Sequence, residues 1–494
     1  MSHLPEVKEQ YGKLKNFVDG EWVESSAETI PITNPATDQV IGEVPKSSAD
    51  ELNEAVEAAK DAFVEWRETA PISRVRYFFK LKELMELRFE DMARVLVQEM
   101  GKTIDESRGE VRRAIENVET ACAITTLQMG YNLEDGAASG IDEEAWKVPL
   151  GVFACIAPYN FPSMIPYWFW PYAVACGNTY IIKPSSQVPI TQQIMTEVVA
   201  EVGFPPGVIN LVNGHHDLAD NLMNHPDIKG ISFVGSTPIA HHVYKLSTEN
   251  KKRVQAQGGA KNTIVVMEDC NLKRSVANML ASFFGCAGQR CLAGSNLAIV
   301  GSDGFYNEFM GKFIEGVKAI KVGYGLDETV NMGPLVSQKA KTKVEGYIET
   351  AEKEGGKFLL DGRGIKPEGY ENGAFVGPTV FENVEPDHTL AKEEVFGPVV
   401  ATMRFGSLEE TIEFMNTSPY GNAASIYTSS GPAARQFRYD IEAGNVGINI
   451  GIVAAMSYFP FAGRKDSFLG DLHGQGKDAV NFFTDRKVCI TRWL

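Results

Sequence analysis

The residues best equipped for chemistry stand together at Phe283–Asn296, reading F-F-G-C-A-G-Q-R-C-L-A-G-S-N. A periodic apolar segment (Val276, Leu280, Phe283, Phe284) runs into the small residues Gly285, Ala287 and Gly288, and a guanidinium, Arg290, directly precedes Cys291. Small residues let another chain segment or a flat cofactor approach closely. A thiol beyond such a turn can be reached by reactants, and a neighbouring guanidinium favours the thiolate, its nucleophilic form. Cys291 is therefore the candidate nucleophile. The competing reading of a lone cysteine is a small buried apolar side chain.

The elements that must position this thiol are those of an ordinary globular chain. With 494 residues, 44% hydrophobic and 22% charged, the chain is long enough for two or three domains and a sizeable core. A net charge of −17 argues against general binding to nucleic acid or anionic membranes, which needs a basic face. Gly151–Ile182 is the most apolar stretch, but Pro158, Pro162, Pro166 and Pro171 interrupt it, so a buried core is expected and no membrane span. The opening MSHLPEVKEQYGKLKN is polar, and no signal peptide is expected. Seven scattered cysteines do not read as a disulfide framework, and a reducing cytoplasm is the natural compartment. The eight histidines show no H-E-x-x-H, and no metal site is expected.

In chain order, Asp19-Gly20 and Asn34-Pro35 mark turns in a small antiparallel element. Helices follow, the third from about Thr103 to Met129 carrying Arg112 and Arg113, whose charges taken alone read as a solvated face. Residues 134–147 form a polar, Gly-rich excursion. From Pro149 short strands alternate with helices, which predicts a doubly wound, mostly parallel sheet that binds its ligand beyond the strands' carboxyl ends. The alternation resumes in a second α/β unit over about 258–440, with a strand expected near 375–381. Asp478–Trp493 alternates as one strand, separated from its neighbours, with another subunit as its expected partner.

Seven motifs occur in one order: APYNFP (157–162), IIKPSS (181–186), FVGST (233–237), QGGAK (257–261), GQRC (288–291), EEVFGPV (393–399) and FPFAGRKDSFLGDLHG (459–474). Together the motifs resemble the aldehyde dehydrogenase superfamily, and within it the CoA-acylating methylmalonate-semialdehyde dehydrogenases. The resemblance implies two doubly wound α/β domains plus a small oligomerisation β-element. It divides the chain into a nicotinamide cofactor domain (11–257, with an oligomerisation excursion at 128–148), a catalytic domain (258–440), a return to the cofactor domain (441–475) and an oligomerisation tail (476–494). A cytoplasmic homotetramer, a dimer of dimers, is implied. Cys291 matches the nucleophile, which forms a thioester, and Asn160 the side-chain donor to the oxyanion. Ala157, Pro158 and Tyr159, Lys183, Ser186, Gly235, Ser236, Glu394 and Phe396 match the cofactor site. Taken alone, Lys183 and Glu394 also read as surface charges, and Asn160 as a turn residue.

Ser186 stands where NAD-preferring relatives often carry Glu, so it does not bar NADP, although most members of the resembled group use NAD. Gln257 stands where hydrolytic relatives carry the Glu that activates water, and a carboxamide cannot accept a proton at neutral pH. Transfer of the acyl group to coenzyme A is therefore the expected outcome, with a hydrolytic dehydrogenase for another small aldehyde as the alternative and a non-catalytic scaffold as the third. A semialdehyde acid needs a cation for its carboxylate. Arg113 and Arg290 are the candidates, and Trp168, in the run Tyr167–Trp170, is expected to wall the cavity, with plain core packing the competing reading.

Overall fold

The computed structural model describes residues 3–494. Five parallel strands make the middle of the first sheet: β1 (Val152–Ile156), β2 (Thr179–Lys183), β3 (Ile209–Leu211), β4 (Ile228–Val234) and β5 (Arg253–Gln257). Their order is β3-β2-β1-β4-β5. Antiparallel strands extend it beyond β3 (Asn16–Val18, then Glu21–Val23) and beyond β5 (Phe468–Gly470). β1 and β2 are buried at every position because both faces are covered. Val152, Ala154 and Ile156 pack with Leu52, Val56 and Ala59 of helix Ala49–Trp66. Phe153 and Cys155 belong to the opposite core with Tyr167–Trp170. The apolar stretch from Gly151 is thus sheet core, and among the described residues no helix is long and apolar enough to cross a membrane. Strand order reverses between β1 and β4, and the crevice beyond their carboxyl ends is where such sheets receive ligands.

The second sheet holds β6 (Asn262–Met267), β7 (Gly294–Val300), β8 (Thr379–Glu382), β9 (Val399–Phe405), β10 (Ala423–Tyr427) and β11 (Asn445–Ile448), in the order β8-β9-β7-β6-β10-β11. All run parallel, and Lys357–Leu360 adds an antiparallel edge beside β8. The strand expected at 375–381 is thus shorter and later. The boundary expected at 440 also moves, because β11 pairs with β10 and the chain leaves this sheet only after Ile448. N-V-G-I carries no strong strand pattern. It is held by Asn445, whose amide donates to Asn422 O at 3.0 Å and Ala462 O at 2.6 Å. The return to the first sheet is completed by Phe468–Gly470 on β5.

A third, small sheet pairs Ile141–Pro149 antiparallel with Tyr131–Leu133 on one side and Thr484–Arg492 on the other. The tail differs from expectation twice. Gly476–Phe482 is a helix, because Ala479, Val480 and Phe482 bury together on one side of a turn. The strand Thr484–Arg492 pairs with its own chain along its whole length, since the polar excursion offers it a ladder of matching length. Among the described residues the tail strand's outer edge has no partner, and its Val488 and Ile490 are exposed.

Candidate active site

Helix Leu272–Phe284 leads into a tight turn, Gly285–Gly288, in which Cys286 (φ 51°) and Ala287 (φ 52°) are both left-handed. Non-glycine residues there cost about 1–3 kcal/mol each and persist only where the surroundings over-determine them. Those surroundings are visible. Glu106 Oε1 accepts from Cys286 N at 2.6 Å, and Gln289 links the turn to Val336 through Oε1 and to Cys286 O through Nε2. A Cβ on Gly285 would lie 2.2 Å from Arg290 Nη1, and one on Gly288 2.1 Å from Gly397 O. The small residues therefore admit the arginine and the loop that carries Glu394.

Glu106 comes from helix Ile104–Ala121, which opens with a capping box: Thr103 Oγ1 accepts from Glu106 N, and Glu106 Oε2 accepts from Thr103 N. The same helix supplies Glu110, fully buried and paired with Lys102. Lys102 Nζ also donates to Asn160 O at 2.8 Å and sits 4.0 Å from the centroid of the Phe161 ring, while Glu110 Oε1 accepts from Ser163 N and Met164 N. Losing one partner of such a buried pair costs about 3–5 kcal/mol. The pair fixes the Asn160 loop against the helix. Asn160 Nδ2 in turn donates to Gln289 O at 3.1 Å, two residues before the cysteine, and makes no second hydrogen bond. The carbonyl of Cys291 accepts from two side-chain amides, Asn262 Nδ2 at 2.8 Å and Asn422 Nδ2 at 2.7 Å.

Arg290 turns back onto its own loop. Its Nε donates to Cys286 Sγ at 3.2 Å, Nη1 to Ala281 O at 3.2 Å and Nη2 to Glu106 Oε1 at 3.2 Å. Three of its five N–H donors are thus engaged, none by Cys291. Burial, then the charge of Glu394, push the Cys291 thiol up to about 12. The N–H groups of Cys291 and Leu292 pull it down, and Arg290 contributes least. Adjacency in sequence does not deliver the thiolate, because the side chain turns back to brace its own loop.

Cys291 is half-buried and opens on a cavity of about 430 Å³. Its walls include Phe161, Met164, Leu292 and Phe461, with Trp168 stacked on Phe461 at 4.3 Å between centroids. Tyr167, Phe169 and Trp170 share the core with Trp168 but do not line the cavity. Arg113 and Arg290 both line the cavity. Arg113 donates from Nη1 to Glu116 at 2.9 Å and meets Met456 Sδ at 2.8 Å, while its Nε and Nη2 make no hydrogen bond among the described residues.

The residues matched to a nicotinamide cofactor gather beyond the first sheet's carboxyl ends. Ala157, Pro158 and Tyr159 follow β1, with Ala157 N bonded to Lys183 O at 3.0 Å. Lys183 ends β2. Its Nζ reaches only Pro184 O, at 3.1 Å, and burial lowers its pKa to about 8. Ser186 lies half-buried three residues on. Gly235 N is bonded to Gln257 O, and Ser236 is the N-cap of helix Thr237–Glu249 without using its hydroxyl there. Glu394 Oε1 accepts from Ala260 N at 2.9 Å, and burial raises its pKa to about 7. Phe396 meets Tyr159 edge-on at 5.9 Å. An ammonium with unused donors, an unused N-cap hydroxyl and a half-free carboxylate at one switch point fit a dinucleotide. Gln257, at the end of β5, donates from Nε2 to Phe461 O at 3.4 Å, and its Oε1 is buried without a partner.

Sequence reasoning missed Lys102, Glu106, Glu110, Asn262 and Asn422. The capping box Thr103–Glu106 is readable, but nothing in it says that Glu106 also accepts from Cys286. Asn262 stood inside V-Q-A-Q-G-G-A-K-N without a role.

A model of the aldehyde dehydrogenase family matches residues 22–489. The chain belongs to that family, the class its two α/β sheets and cysteine loop define. Among its relatives, a malonate-semialdehyde dehydrogenase of Geobacillus kaustophilus is 44% identical over 481 residues, 97% of this chain and 99% of that protein. One from Halalkalibacterium halodurans is 44% identical over 482 residues, 97% of this chain and 98% of its own. The crystal structure of a putative methylmalonate-semialdehyde dehydrogenase of Sinorhizobium meliloti, complexed with NAD, superposes with a TM-score of 0.96 at 39% identity, covering 98% of both chains. That of the Oceanimonas doudoroffii methylmalonate-semialdehyde dehydrogenase gives 0.96 at 38% identity, covering 98% of this chain and 99% of its own.

Proposed function

We propose that this chain oxidises malonate or methylmalonate semialdehyde and passes the acyl group to coenzyme A. The observation that carries this reading is one cavity holding a thiol and an arginine with free donors, with the carboxamide of Gln257 bonded to Phe461 of its wall. The names of the relatives support the substrate, and the structure complexed with NAD supports that cofactor.

Arg113 Nε and Nη2 take the substrate carboxylate and set the aldehyde carbon against Cys291 Sγ. The thiolate adds to the carbonyl, and the oxyanion receives the Cys291 N–H and the unused hydrogen of Asn160 Nδ2. NAD, held by Lys183, Ser236 and Glu394, supplies the hydride acceptor when bound, and Ser186 does not exclude NADP. The thioester on Cys291 loses its β-carboxylate as CO2, and the electron pair of the broken C–C bond, left on the α-carbon, takes up a proton from water. The thiolate of coenzyme A then attacks the remaining acyl carbon and expels Cys291, giving acetyl-CoA or propionyl-CoA. Gln257 has no basic oxygen with which to activate water, so hydrolysis is slow. The unpaired edge Thr484–Arg492 supports assembly as a homotetramer, and seven free cysteines suit a cytoplasmic setting.

Incubating enzyme, NAD and semialdehyde with and without coenzyme A tests this reading. Acyl-CoA formed at the rate of NADH is the expected result. Free acid at an unchanged rate in both mixtures would favour the hydrolytic dehydrogenase instead.

A further inference from the structure

A second cavity, of about 310 Å³, lies behind the cysteine loop and shares no lining residue with the first. Lys261, Thr263, Asn296 and Asn422 line it. Two of these are anomalous. Lys261 is 7% exposed, and its Nζ has no hydrogen-bond partner. Asn296 is 1% exposed, and its Oδ1 has none either, although its Nδ2 donates to Ala391 O at 2.9 Å. Buried polar atoms left unpaired are costly, and burial pushes the Lys261 ammonium down to about 7, a shift that an anion beside it would oppose.

Their placement follows from the second sheet. Thr263 on β6 stands opposite Asn296 on β7. Lys261 directly precedes β6, two residues before Thr263. Glu393 and Glu394 are near enough to act on Lys261 through charge, yet neither hydrogen-bonds it: Glu393 Oε2 accepts from Tyr347 and Glu394 Oε1 from Ala260. The cavity therefore brings an unpaired lysine nitrogen and a bare carbonyl acceptor into one lining, which also carries Lys392, Glu393 and Glu442 and has room for a small organic molecule. Its wall is tied to the nucleophile through Asn422, whose Nδ2 donates to Cys291 O.

We propose that this cavity is a second ligand site, separate from the one at Cys291, for a small carboxylate that also carries a hydroxyl or amino donor. The carboxylate pairs with Lys261 Nζ and the donor with Asn296 Oδ1. The proposal does not depend on the reaction assigned to Cys291.

Binding of 3-hydroxypropionate to the full chain, with Cys291 first alkylated by iodoacetamide, tests it by calorimetry. One saturable site per chain is expected, retained in Arg113→Ala and weakened about tenfold or more in Lys261→Met, the size of a lost charge-assisted hydrogen bond. Propionate should bind more weakly than 3-hydroxypropionate in the unmutated chain, and Asn296→Ala should erase that difference. Absence of saturable binding to the alkylated chain would overturn the proposal. So would equal affinity in a Lys261→Met chain with an unchanged unfolding temperature. If Lys261→Met does not fold, propane-1,3-diol decides on the unmutated chain: binding as tight as that of 3-hydroxypropionate would overturn the anion assignment, and absent binding would support it.

Discussion

Two arginines line the cavity in front of Cys291, and they differ in what their nitrogens are doing. Arg290, next to the nucleophile in sequence, engages Cys286, Ala281 and Glu106 with its three nitrogens. Arg113, on a helix far away in sequence, uses only Nη1. Arg290 spends three of its five N–H donors on its own loop, whereas Arg113, which lines the same cavity, keeps both Nε and Nη2 for a ligand. The same contrast runs through the site. The loop of Cys291 is tied down at nearly every polar atom, whereas Lys183, Glu394 and Gln257 keep unused ones.

The largest effect is expected where both arginines lose their purpose: Cys291→Ser should lower NADH formation by about a thousandfold or more, as loss of a nucleophile does. Intact turnover in steady-state assays would remove the thiol from the chemistry. Next, Arg113→Ala should lower kcat/KM for malonate semialdehyde about 10–100-fold, the worth of a hydrogen bond to a charged group, and leave propanal nearly unchanged. Arg290→Ala should lower both aldehydes alike, by about tenfold, with a lower unfolding temperature, because it loosens a strained turn. A selective loss for the carboxylated aldehyde in Arg290→Ala would invert the comparison and return Arg290 to substrate binding.

The parts legible in the sequence were those set by local pattern. Short apolar runs between helices gave the parallel sheets, and V-F-A-C-I and T-Y-I-I-K are buried at every position as that pattern requires. The cysteine turn was legible through its small residues, whose Cβ positions are occupied by Arg290 and Gly397. What stayed hidden depends on contacts between distant segments. N-V-G-I at Asn445–Ile448 is a strand only because Asn445 is held by Asn422 and Ala462. The direction of the Arg290 side chain was equally unreadable, since its partner Glu106 lies 184 residues away. The tail helix Gly476–Phe482 was missed because A-V-N-F-F alternates nearly as well as it turns.

The smallest effect sharpens the contrast most, because it asks whether Arg290 activates the thiol. With burial and Glu394 raising the Cys291 pKa to about 12, only about one molecule in ten thousand carries the thiolate at pH 8. The acid form is the one burial favours, so the thiolate fraction grows with pH and saturates only near the raised value. Iodoacetamide should therefore alkylate Cys291 about tenfold faster per pH unit from 7 to 10, without a plateau. Arg290 stands behind the Cys291 and Leu292 N–H groups among the influences that lower this thiol, so Arg290→Ala should leave the shape of the profile unchanged and displace it only slightly to higher pH. A plateau below pH 9 in the unmutated chain, lost in Arg290→Ala, would show that the guanidinium reaches the sulfur after all, and the two arginines would then share one side of the chemistry.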